Sequence, residues 1–438
     1  MSFTAIILAA GKGSRMKSSL SKPLHKIAGH EMIAWVIDAA KLAGAENIIS
    51  VISQDKPDLA SFLSGYNVAI QKNKNGTAGA VMAALPQVKN LAKPIIVLFA
   101  DTPFINKDII CELVDKVKNG SDICVLGFAA DNPFGYGRLI TSSGGALNAI
   151  VEESEANKSQ KLISNVNAGI MGFNGNVIHE LMQKITPSNS KQEYYLTDTV
   201  SIGSKNNLNV NYILTDKEHV IGINNLEQLA EAEAIAQNSL RKKAMLSGVT
   251  MIAPETVFLQ KDTVFGQDII IDPNVVIAGG TTIASNCHIK SFCHLEKCNI
   301  GPGNIIGPFA RIRPNSVTNQ NVKIGNFVEV KKSTIGRGAK VNHLSYIGDA
   351  EIGDNTNIGA GTITCNYDGY NKYVTKIGEG AFIGSNTSLV APVYIGPHAI
   401  VGAGSTITED IPADGLGLSR SKQTIIEKGA RKVRSKRT

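Results

Sequence analysis

Aliphatic residues recur every six positions through the second half of the chain, and this period restricts the fold more than any other feature of the sequence. The series begins at Ile271, slips by one residue before Ile300, is interrupted at Thr318 and ends at Ile407. A period of six does not fit an amphipathic helix of 3.6 residues per turn, but it is a multiple of the two-residue period of a strand. Each hexad can therefore form one short strand and one corner. Stacking every third hexad then buries a continuous core.

Glycine follows the aliphatic residue in many hexads, as in IGRGA, IGDNT and IGEGA. We expect these glycines at corners of the coil, where they would adopt positive φ. Three hexads form one coil, and with coils about 4.8 Å apart the repeat predicts a three-sided prism about 35 Å long. The general rule for parallel crossovers predicts that the prism winds to the right.

The first half of the chain alternates short apolar runs with helical patterns. AIILAA, IISVI and PIIVLFAD have the character of buried strands, and MIAWVIDAAKLAG and DIICELVDKVKNG have that of helices. The alternation is typical of βαβ units that build a parallel sheet flanked by helices. Ligands bind beyond the carboxyl ends of the strands in such sheets. The candidate site is therefore the AAGKGSRM loop after the first strand, together with Asp101 in LFADTPF.

The AAGKGSRM loop fits neither standard phosphate-binding pattern. Ile6 stands where the P-loop pattern needs a glycine, and Met16 stands where the dinucleotide pattern needs its third glycine. Backbone N–H groups on a turn that enters a helix can still bind a phosphate.

These features divide the chain into four segments. An α/β domain covers 1–225, a connecting helix covers 226–247, the β-helix covers 248–420 and a basic tail covers 421–438. The connecting segment has acidic residues early and basic residues late, which suits the helix dipole. The tail carries most of the net charge of +7, and we expect it to be disordered and not to bind nucleic acid.

The composition indicates a cytoplasmic protein with no membrane span. Six cysteines include no CxxC pair, and FTAIILAA is too short to cross a bilayer and has no basic residues before it. CHIKSFCHLEKC invites a zinc assignment, but its spacings match no standard zinc pattern. Cys287 and Cys293 fall where the repeat places small inward residues, and we expect them in the core.

Two unlike motif sets together resemble one known family. LAAGKGSRMKSSLSKPLHKIAG at one end, and the hexad array with AKVNHLSYIGDAEIGDNTNIGAGTITCNYDG at the other, are similar to the bacterial bifunctional N-acetylglucosamine-1-phosphate uridylyltransferase/glucosamine-1-phosphate acetyltransferases. The resemblance covers nearly the whole chain. It implies a Rossmann-like nucleotidyltransferase domain with a mixed, mostly parallel sheet, followed by a left-handed parallel β-helix.

The resemblance also implies an activity and an assembly. A cytoplasmic homotrimer would acetylate glucosamine 1-phosphate with acetyl-CoA. It would then transfer a uridylyl group from UTP to N-acetylglucosamine 1-phosphate and release pyrophosphate. The product, UDP-N-acetylglucosamine, feeds peptidoglycan and lipopolysaccharide synthesis.

In the first domain, the resemblance assigns Arg15 and Lys22 to neutralise the pyrophosphate, and Asp101 and Asn224 to hold Mg²⁺. The other nucleotide and sugar contacts that it implies are Leu8, Ala9, Ala10, Gly11, Gln71, Gly76, Thr77, Phe99, Gly137, Glu152, Asn167 and Thr197. Two residues depart from the family pattern, Ser21 before Lys22 and Ala100 before Asp101.

In the repeat domain, His343 follows the inward Val341 by two residues, and from the alternation of side chains along a strand we expect it on an outer face. A neutral imidazole there is a competent base for the substrate amine as the amine attacks the thioester. By resemblance, Arg313, Lys331, Tyr346 and Asn357 bind glucosamine 1-phosphate. The acetyl-CoA contacts are Ala360, Asn366, Tyr367, Ser385, Ala403 and Arg420, with N–H groups near Ser385 stabilising the oxyanion. Residues 364–376 interrupt the hexads and predict a loop that leaves the prism.

Two alternatives keep the same architecture. The chain could transfer a nucleotidyl group, uridylyl or thymidylyl, to another sugar 1-phosphate such as glucose 1-phosphate. It could also be a non-enzymatic scaffold like the exchange-factor subunits of eukaryotic translation initiation. Such a scaffold is not expected to retain Arg15, Lys22, Asp101 and His343 together.

Overall fold

A computed structural model describes residues 2–73, 75–187 and 192–435. The chain divides into two compact units, one up to Ala234 and one from Ile235. The division lies inside the long helix Leu226–Leu246, at the place predicted for a connecting helix.

The first unit is a helix-flanked sheet. Its strands are β1 Phe3–Leu8, β2 Lys26–Ile27, β3 His30–Glu31, β4 Ala45–Ser53, β5 Asn67–Gln71, β6 Ile95–Phe99, β7 Ile123–Ala129, β8 Arg138–Thr141, β9 Leu147–Val151, β10 Asn165–Phe173 and β11 Val210–Thr215. Its helices are α1 Met32–Leu42, α2 Pro57–Phe62, α3 Thr77–Ala84, α4 Lys107–Lys118, α5 Gly175–Lys184 and α6 Asp198–Lys205, followed by the long helix α7.

The main sheet is mixed, as predicted. Its strand order is β11-β7-β10-β6-β1-β4-β5; β1 is parallel to β4 and β6, and β10 is antiparallel to β6 and β7. Residues of β1 alternate between two apolar clusters, one shared with α1, α2 and α4 and the other with α3, α5 and α6. Both faces of the strand are therefore buried, which explains why AIILAA is continuously apolar.

The second unit is a prism of three parallel sheets. The first face contains Val249–Met251, Ile269–Ile271, His288–Ile289, Ile305–Ile306, Lys323–Asn326, Lys340–His343, Asn357–Ile358, Phe382–Ile383, Ile400–Val401 and Leu416–Gly417. The second contains Phe258–Leu259, Val276–Ile277, His294–Leu295, Arg311–Ile312, Glu329–Lys331, Tyr346–Gly348, Ile363–Cys365, Ser388–Val390 and Thr406–Ile407. The third contains Val264–Phe265, Thr282–Ile283, Cys298–Ile300, Ser316–Thr318, Thr334–Ile335, Ala350–Ile352, Thr375–Ile377 and Val393–Ile395.

The hexad pattern predicts the inward residues correctly. The aliphatic positions from Ile271 to Ile407 are buried in one core, which also contains Cys287 and Cys293. Thr318, the apparent interruption, is buried at the same inward position, and its hydroxyl accepts a hydrogen bond from Asn304 Nδ2 at 2.6 Å. The threonine continues the repeat with a polar residue whose hydrogen bond is satisfied.

The prediction that the hexad glycines adopt positive φ is wrong. Gly353, which follows Ile352, is not at positive φ; a Cβ there would lie 2.4 Å from the backbone nitrogen of Glu379 in the next coil. The left-handed conformation falls two residues later, at Asn355 with φ 55. The glycine is needed because adjacent coils approach closely, and the corner itself accepts asparagine as well as glycine.

The part of the basic tail that the structure describes, residues 421–435, contains one helix. Helix α8, Gly429–Ser435, lies in the segment for which the sequence predicts disorder, and none of its residues is buried. The last part of that predicted segment, 436–438, lies outside the described residues. Among the helices that are described, none is both long and apolar enough to span a membrane.

Candidate active sites

The loop after β1 lines a cavity of about 540 Å³ in the first unit. Three parallel strands end at this cavity, β1 at Leu8, β5 at Gln71 and β6 at Phe99. The edge of the sheet at which the sequence predicts ligand binding therefore borders a cavity. The predicted residues that line the cavity are Leu8, Ala9, Ala10, Gly11, Arg15, Lys22, Gln71, Gly76, Thr77, Phe99, Asp101 and Asn224.

The glycine-rich loop does not enter an α-helix as the sequence predicts. Gly13 adopts φ 64 and leads into a single 3₁₀ turn, Ser14–Met16. The N–H of Ala9 donates to the carbonyl of Val51 at 2.8 Å and is not available to a phosphate. Since a short 3₁₀ turn has no helix dipole to offer, a phosphate bound here would have to be held by the remaining loop N–H groups and by nearby cations.

Four of the predicted residues form one hydrogen-bonded cluster in the cavity. Lys22 Nζ donates to Asp101 Oδ2 at 2.5 Å and to Asn224 Oδ1 at 2.8 Å. Arg15 Nη2 donates to the same Asn224 oxygen at 2.9 Å. Two cations thus face one carboxylate and one amide. The cluster carries net positive charge and favours an anionic ligand.

Ser21 departs from the family pattern, and the structure gives it a partner. Its side chain is 1% exposed, and its Oγ and N–H donate to the two carboxylate oxygens of Asp58 at 2.6 and 2.8 Å. Burial raises the pKa of Asp58, but the hydrogen bonds from Ser21 and the Leu59 N–H outweigh it, and the pKa is lowered. The ionised Asp58 therefore fixes the start of the 3₁₀ turn that carries Lys22.

Ala100, the other departure, fits without strain. Its N–H donates to the Leu8 carbonyl at 3.1 Å, and the residue is buried at the edge of the cavity. Its backbone is not in the left-handed region, so glycine is not required here. Gly76 differs, since its φ is 103 and a Cβ would lie 2.5 Å from the Tyr194 carbonyl oxygen.

Four predicted sugar contacts form a second cluster beside the cavity-lining set. Thr197 Oγ1 donates to Glu152 Oε1 at 3.3 Å, and Asn167 N–H donates to the Gly137 carbonyl at 2.8 Å. A Cβ on Gly137 would lie 3.4 Å from the Glu152 carboxylate. The start of β8, which follows Gly137, is therefore close to the end of β9, which precedes Glu152.

Sequence reasoning missed several residues that line the cavity, among them Lys12, Ala80, Glu193 and Tyr195. Glu193 and Tyr195 lie in EYYLTD, the segment that supplies Thr197. Burial and the nearby carboxylates, Glu193 first, raise the pKa of Tyr195. The phenol stays protonated at neutral pH and can donate a hydrogen bond.

His343 lies exposed at the end of a strand on the first face. The exposure is as predicted, but alternation is the wrong reason for it, because strict alternation would point His343 inward with Val341. The side chain is exposed because the strand ends at His343 and Leu344 turns the corner with φ 52. His343 Nδ1 lies 2.7 Å from Asn326 Oδ1, one coil earlier and in register. If the amide oxygen accepts the Nδ1 proton, Nε2 is left free to accept another.

Asn326 is not among the site residues that the sequence predicts. The repeat carried a usable signal, because Asn326 follows Ile324 by two residues just as His343 follows Val341. Three predicted acetyl-CoA contacts, Ala360, Ser385 and Ala403, follow inward aliphatic residues by the same two positions. They continue the column along this edge of the prism, and Arg420 Nη1 donates to the Ala403 carbonyl at 2.8 Å.

Three of the four predicted sugar-phosphate contacts share the second face. Arg313, Lys331 and Tyr346 lie on or directly after successive strands, and Arg313 Nη1 donates to Glu329 Oε1 at 2.8 Å. This hydrogen bond raises the pKa of Arg313 further, and the side chain stays charged. Asn357 is on the first face, opposite Lys340.

The loop that leaves the prism holds two predicted contacts of different exposure. Asn366 is 7% exposed, and its Nδ2 donates to Asp349 Oδ2 at 2.5 Å. Tyr367 is exposed, and its hydroxyl donates to the Gly369 carbonyl at 2.5 Å. Among the described residues only Tyr367 and Lys372 bridge across the loop as strand residues do.

Comparison with known families matches both units. The model for the MobA-like NTP transferase domain matches residues 5–166, and that for the bacterial transferase hexapeptide (six repeats) matches residues 375–409. The "Bifunctional protein GlmU" of Bartonella quintana is 44% identical over 434 residues, covering 98% of this chain and 97% of that protein. Its namesake in Azorhizobium caulinodans is 45% identical over 440 residues, covering 100% and 98%. That of Agrobacterium fabrum is 45% identical over 425 residues, covering 96% and 94%.

An NTP-transferase sheet and a hexapeptide-repeat β-helix in one chain define a bifunctional transferase. The match to the hexapeptide family favours the left-handed winding over the right-handed one that the crossover rule predicts. At this identity over nearly the full length, the chain belongs to the GlmU family of bifunctional proteins. The predicted family and fold class are confirmed.

Proposed function

We propose that the chain makes UDP-N-acetylglucosamine by two reactions at two sites. Acetyl-CoA first acetylates glucosamine 1-phosphate at the prism, and UTP then reacts with N-acetylglucosamine 1-phosphate at the sheet. The observation that carries the proposal is the pairing in one GlmU-family chain of a cationic cavity, built by Arg15 and Lys22, with an exposed histidine oriented by Asn326. The cationic cavity suits phosphoryl-type transfer, and the histidine suits acyl transfer to an amine.

Uridylyl transfer depends mainly on position and charge. A phosphate oxygen of the sugar 1-phosphate attacks the α-phosphorus of UTP, and pyrophosphate leaves. Arg15 and Lys22 stabilise the negative charge of the leaving group. Gln71 Nε2 donates to the Gly76 carbonyl at 3.0 Å, which fixes both residues where the uracil base would bind. Thr197 and Glu152 would bind the sugar.

Asp101 and Asn224 supply the oxygen donors that Mg²⁺ prefers, one carboxylate and one amide carbonyl. The Lys22 ammonium already lies within hydrogen-bond distance of both oxygens, so the pair accommodates a cation. These residues fit the ion and would hold it. When bound, Mg²⁺ would neutralise charge on the phosphates.

Acetyl transfer requires a base and an oxyanion site. His343 Nε2 accepts a proton from the substrate amine as the amine nitrogen attacks the thioester carbonyl. The C–S bond breaks, and the coenzyme A thiolate leaves and takes a proton from the His343 imidazolium, directly or through water, so that the imidazole is neutral again. Arg313 and Lys331 would bind the sugar phosphate. N–H groups near Ser385 would stabilise the oxyanion.

We also propose that the protein is a homotrimer, on the basis of an apolar ridge beside His343. The ridge consists of Phe292, Phe309, Phe327 and Leu344, one residue per coil, each exposed and each at positive φ. The rings of Phe292 and Phe309 stack at 4.8 Å between centroids, and those of Phe309 and Phe327 at 5.2 Å. A bulky side chain at positive φ costs about 1–3 kcal/mol.

At another corner of the prism, the residues in the left-handed conformation are asparagine or glycine. Asn286, Gly303, Asn321, Gly338 and Asn355 all tolerate positive φ. A second prism has the same axial repeat as the ridge and can cover it along its length, which compensates for the strain. The ridge ends next to His343, so a neighbouring copy would form a wall of the acetyl-transfer site.

Replacing Phe327 with serine should therefore dissociate the assembly. We expect the mass of Phe327→Ser to fall from that of a trimer to that of a monomer, because the centre of the ridge loses its apolar surface. Light scattering during gel filtration measures this. Phe258→Ser, a change at an exposed phenylalanine off the ridge, should leave the trimer intact. A trimeric Phe327→Ser protein would contradict this role for the ridge.

All six cysteines are free thiols, which fits the reducing cytoplasm, and we place the enzyme there.

Two assays on one preparation test the proposed function. Pyrophosphate release from UTP and N-acetylglucosamine 1-phosphate should be abolished by removing divalent ions. Thiol release from acetyl-CoA and glucosamine 1-phosphate should not be. Glucose 1-phosphate, with UTP or with dTTP, should react poorly. A preference for glucose 1-phosphate would favour a nucleotidyltransferase for another sugar 1-phosphate. No activity in either assay would favour a non-enzymatic scaffold.

A further inference from the structure

The mechanism above leaves one buried carboxylate in the prism unused. Asp349 is 5% exposed and follows Ile347 at a corner after the second face, with φ 47. Its Oδ2 accepts a hydrogen bond from Asn366 Nδ2 at 2.5 Å. The Lys332 ammonium lies 3.3 Å from Oδ1, and that of Lys331 lies 3.8 Å from Oδ2. Asp349 thus contacts one predicted sugar-phosphate residue and one predicted acetyl-CoA residue.

The backbone of Asp349 contacts the strand of Lys331 and one end of the loop that leaves the prism. Its N–H donates to the Lys331 carbonyl at 3.0 Å, and its carbonyl accepts from the Thr375 N–H at 3.2 Å. Asn366 and Thr375 are the two ends of the loop that leaves the prism, and the Tyr373 N–H donates to the Asn366 carbonyl at 2.9 Å. Both ends of the loop are therefore fixed at Asp349.

The burial of Asp349 is exceptional for its position. Lys297, Asn315 and Lys332 occupy the same corner in other coils, also at positive φ, and all three are exposed. Burial raises the pKa of Asp349, but the Asn366 amide and the two lysines outweigh it, and the pKa is lowered. A buried carboxylate is costly unless it is paired and hydrogen-bonded, as this one is.

We propose that Asp349 is a positioning residue for acetyl transfer. Its carboxylate holds the Lys331 ammonium and the root of the loop together, so that the sugar-phosphate and acetyl-CoA sites keep a fixed separation. The inference rests on the proposed acetyl transfer at His343. Two lysines beside one carboxylate leave one positive charge for the phosphate, and removing the carboxylate would leave two.

Asp349→Asn tests this, because asparagine keeps the size of the side chain and tolerates positive φ while losing the charge. We expect the KM for acetyl-CoA to rise about tenfold or more, since the charge-assisted hydrogen bond at the loop root is lost. The KM for glucosamine 1-phosphate should not rise. Thiol release at varied concentrations of each substrate measures both constants.

The matched control is Asp354→Asn. Asp354 also bridges two coils, accepting from the Arg337 N–H at 2.7 Å and pairing with the Arg337 guanidinium at 3.3 Å, but at the corner that follows the third face. The Asp354→Asn substitution should leave the KM values for acetyl-CoA and for glucosamine 1-phosphate unchanged. Pyrophosphate release and the thermal midpoint of each variant show that the chain is folded.

Three results would count against the inference. Unchanged kinetics in Asp349→Asn would overturn it, as would an equal rise in both KM values, since that indicates general loosening of the prism. Wild-type protein that releases no thiol would overturn the proposed function itself and the inference with it.

Discussion

Replacing His343 with alanine should lower the rate of acetyl transfer by about 10²–10⁴, the range that general base catalysis contributes. Asn326, the residue that contacts the imidazole, cannot replace it as the base, because an amide does not accept a proton at neutral pH. Uridylyl transfer should be unaffected, since it depends on residues of the other unit. Thiol release and pyrophosphate release from the same variant measure the two effects.

Two further variants make the result for His343 specific. His294→Ala removes another exposed histidine of the prism and should retain full acetyl transfer. Asn326→Ala should lose part of the acetyl-transfer rate. The imidazole base is still present in this variant, but its orientation and tautomer are no longer fixed. Loss of both activities in a folded His343→Ala protein would refute the assignment of acetyl transfer to this residue alone.

Replacing Lys22 with alanine should lower the rate of uridylyl transfer by about 10²–10³, comparable to the loss of one preorganised charge-stabilising donor. The variant loses one of the two cations proposed to stabilise the leaving pyrophosphate, and Asp101 loses the hydrogen bond from Lys22, while Asn224 keeps the one from Arg15. Acetyl transfer should remain at the wild-type rate. Pyrophosphate release measures the loss directly.

Lys26→Ala is the matched control for Lys22. Lys26 lies four residues further along the chain, is largely exposed, and pairs with Glu31 at 3.4 Å outside the cavity. It should retain both activities. A Lys22→Ala protein with normal pyrophosphate release would contradict the role of this cation.

Much of the fold follows from sequence periodicity alone. The inward positions of the prism can be read from the hexads because the side-chain period of a strand is fixed, and even Thr318 obeys it. The position of the cavity in the first unit follows from strand ends, since Leu8, Gln71 and Phe99 all border it. Both predictions need only local pattern and general geometry.

Other features depend on which residues meet across coils and loops, and local patterns do not determine them. Asn326 contacts His343 from 17 residues away, and Asp349 contacts Asn366 across the same separation. The hexad glycines were correctly located but wrongly explained, because the approach of the next coil cannot be seen within one hexad. The partner of Ser21, Asp58 on α2, likewise appears only in the folded sheet.

The central claim is that one chain contains two active sites that work independently and exchange a free intermediate. Mixing His343→Ala with Lys22→Ala, in the presence of glucosamine 1-phosphate, acetyl-CoA, UTP and Mg²⁺, tests it most directly. We predict that each variant alone forms UDP-N-acetylglucosamine at about a hundredth of the wild-type rate or less, and that the mixture forms it much faster, since each variant supplies the reaction that the other performs poorly. A mixture of two folded variants that forms product no faster than either variant alone, or a single variant that forms it at the wild-type rate, would contradict the account.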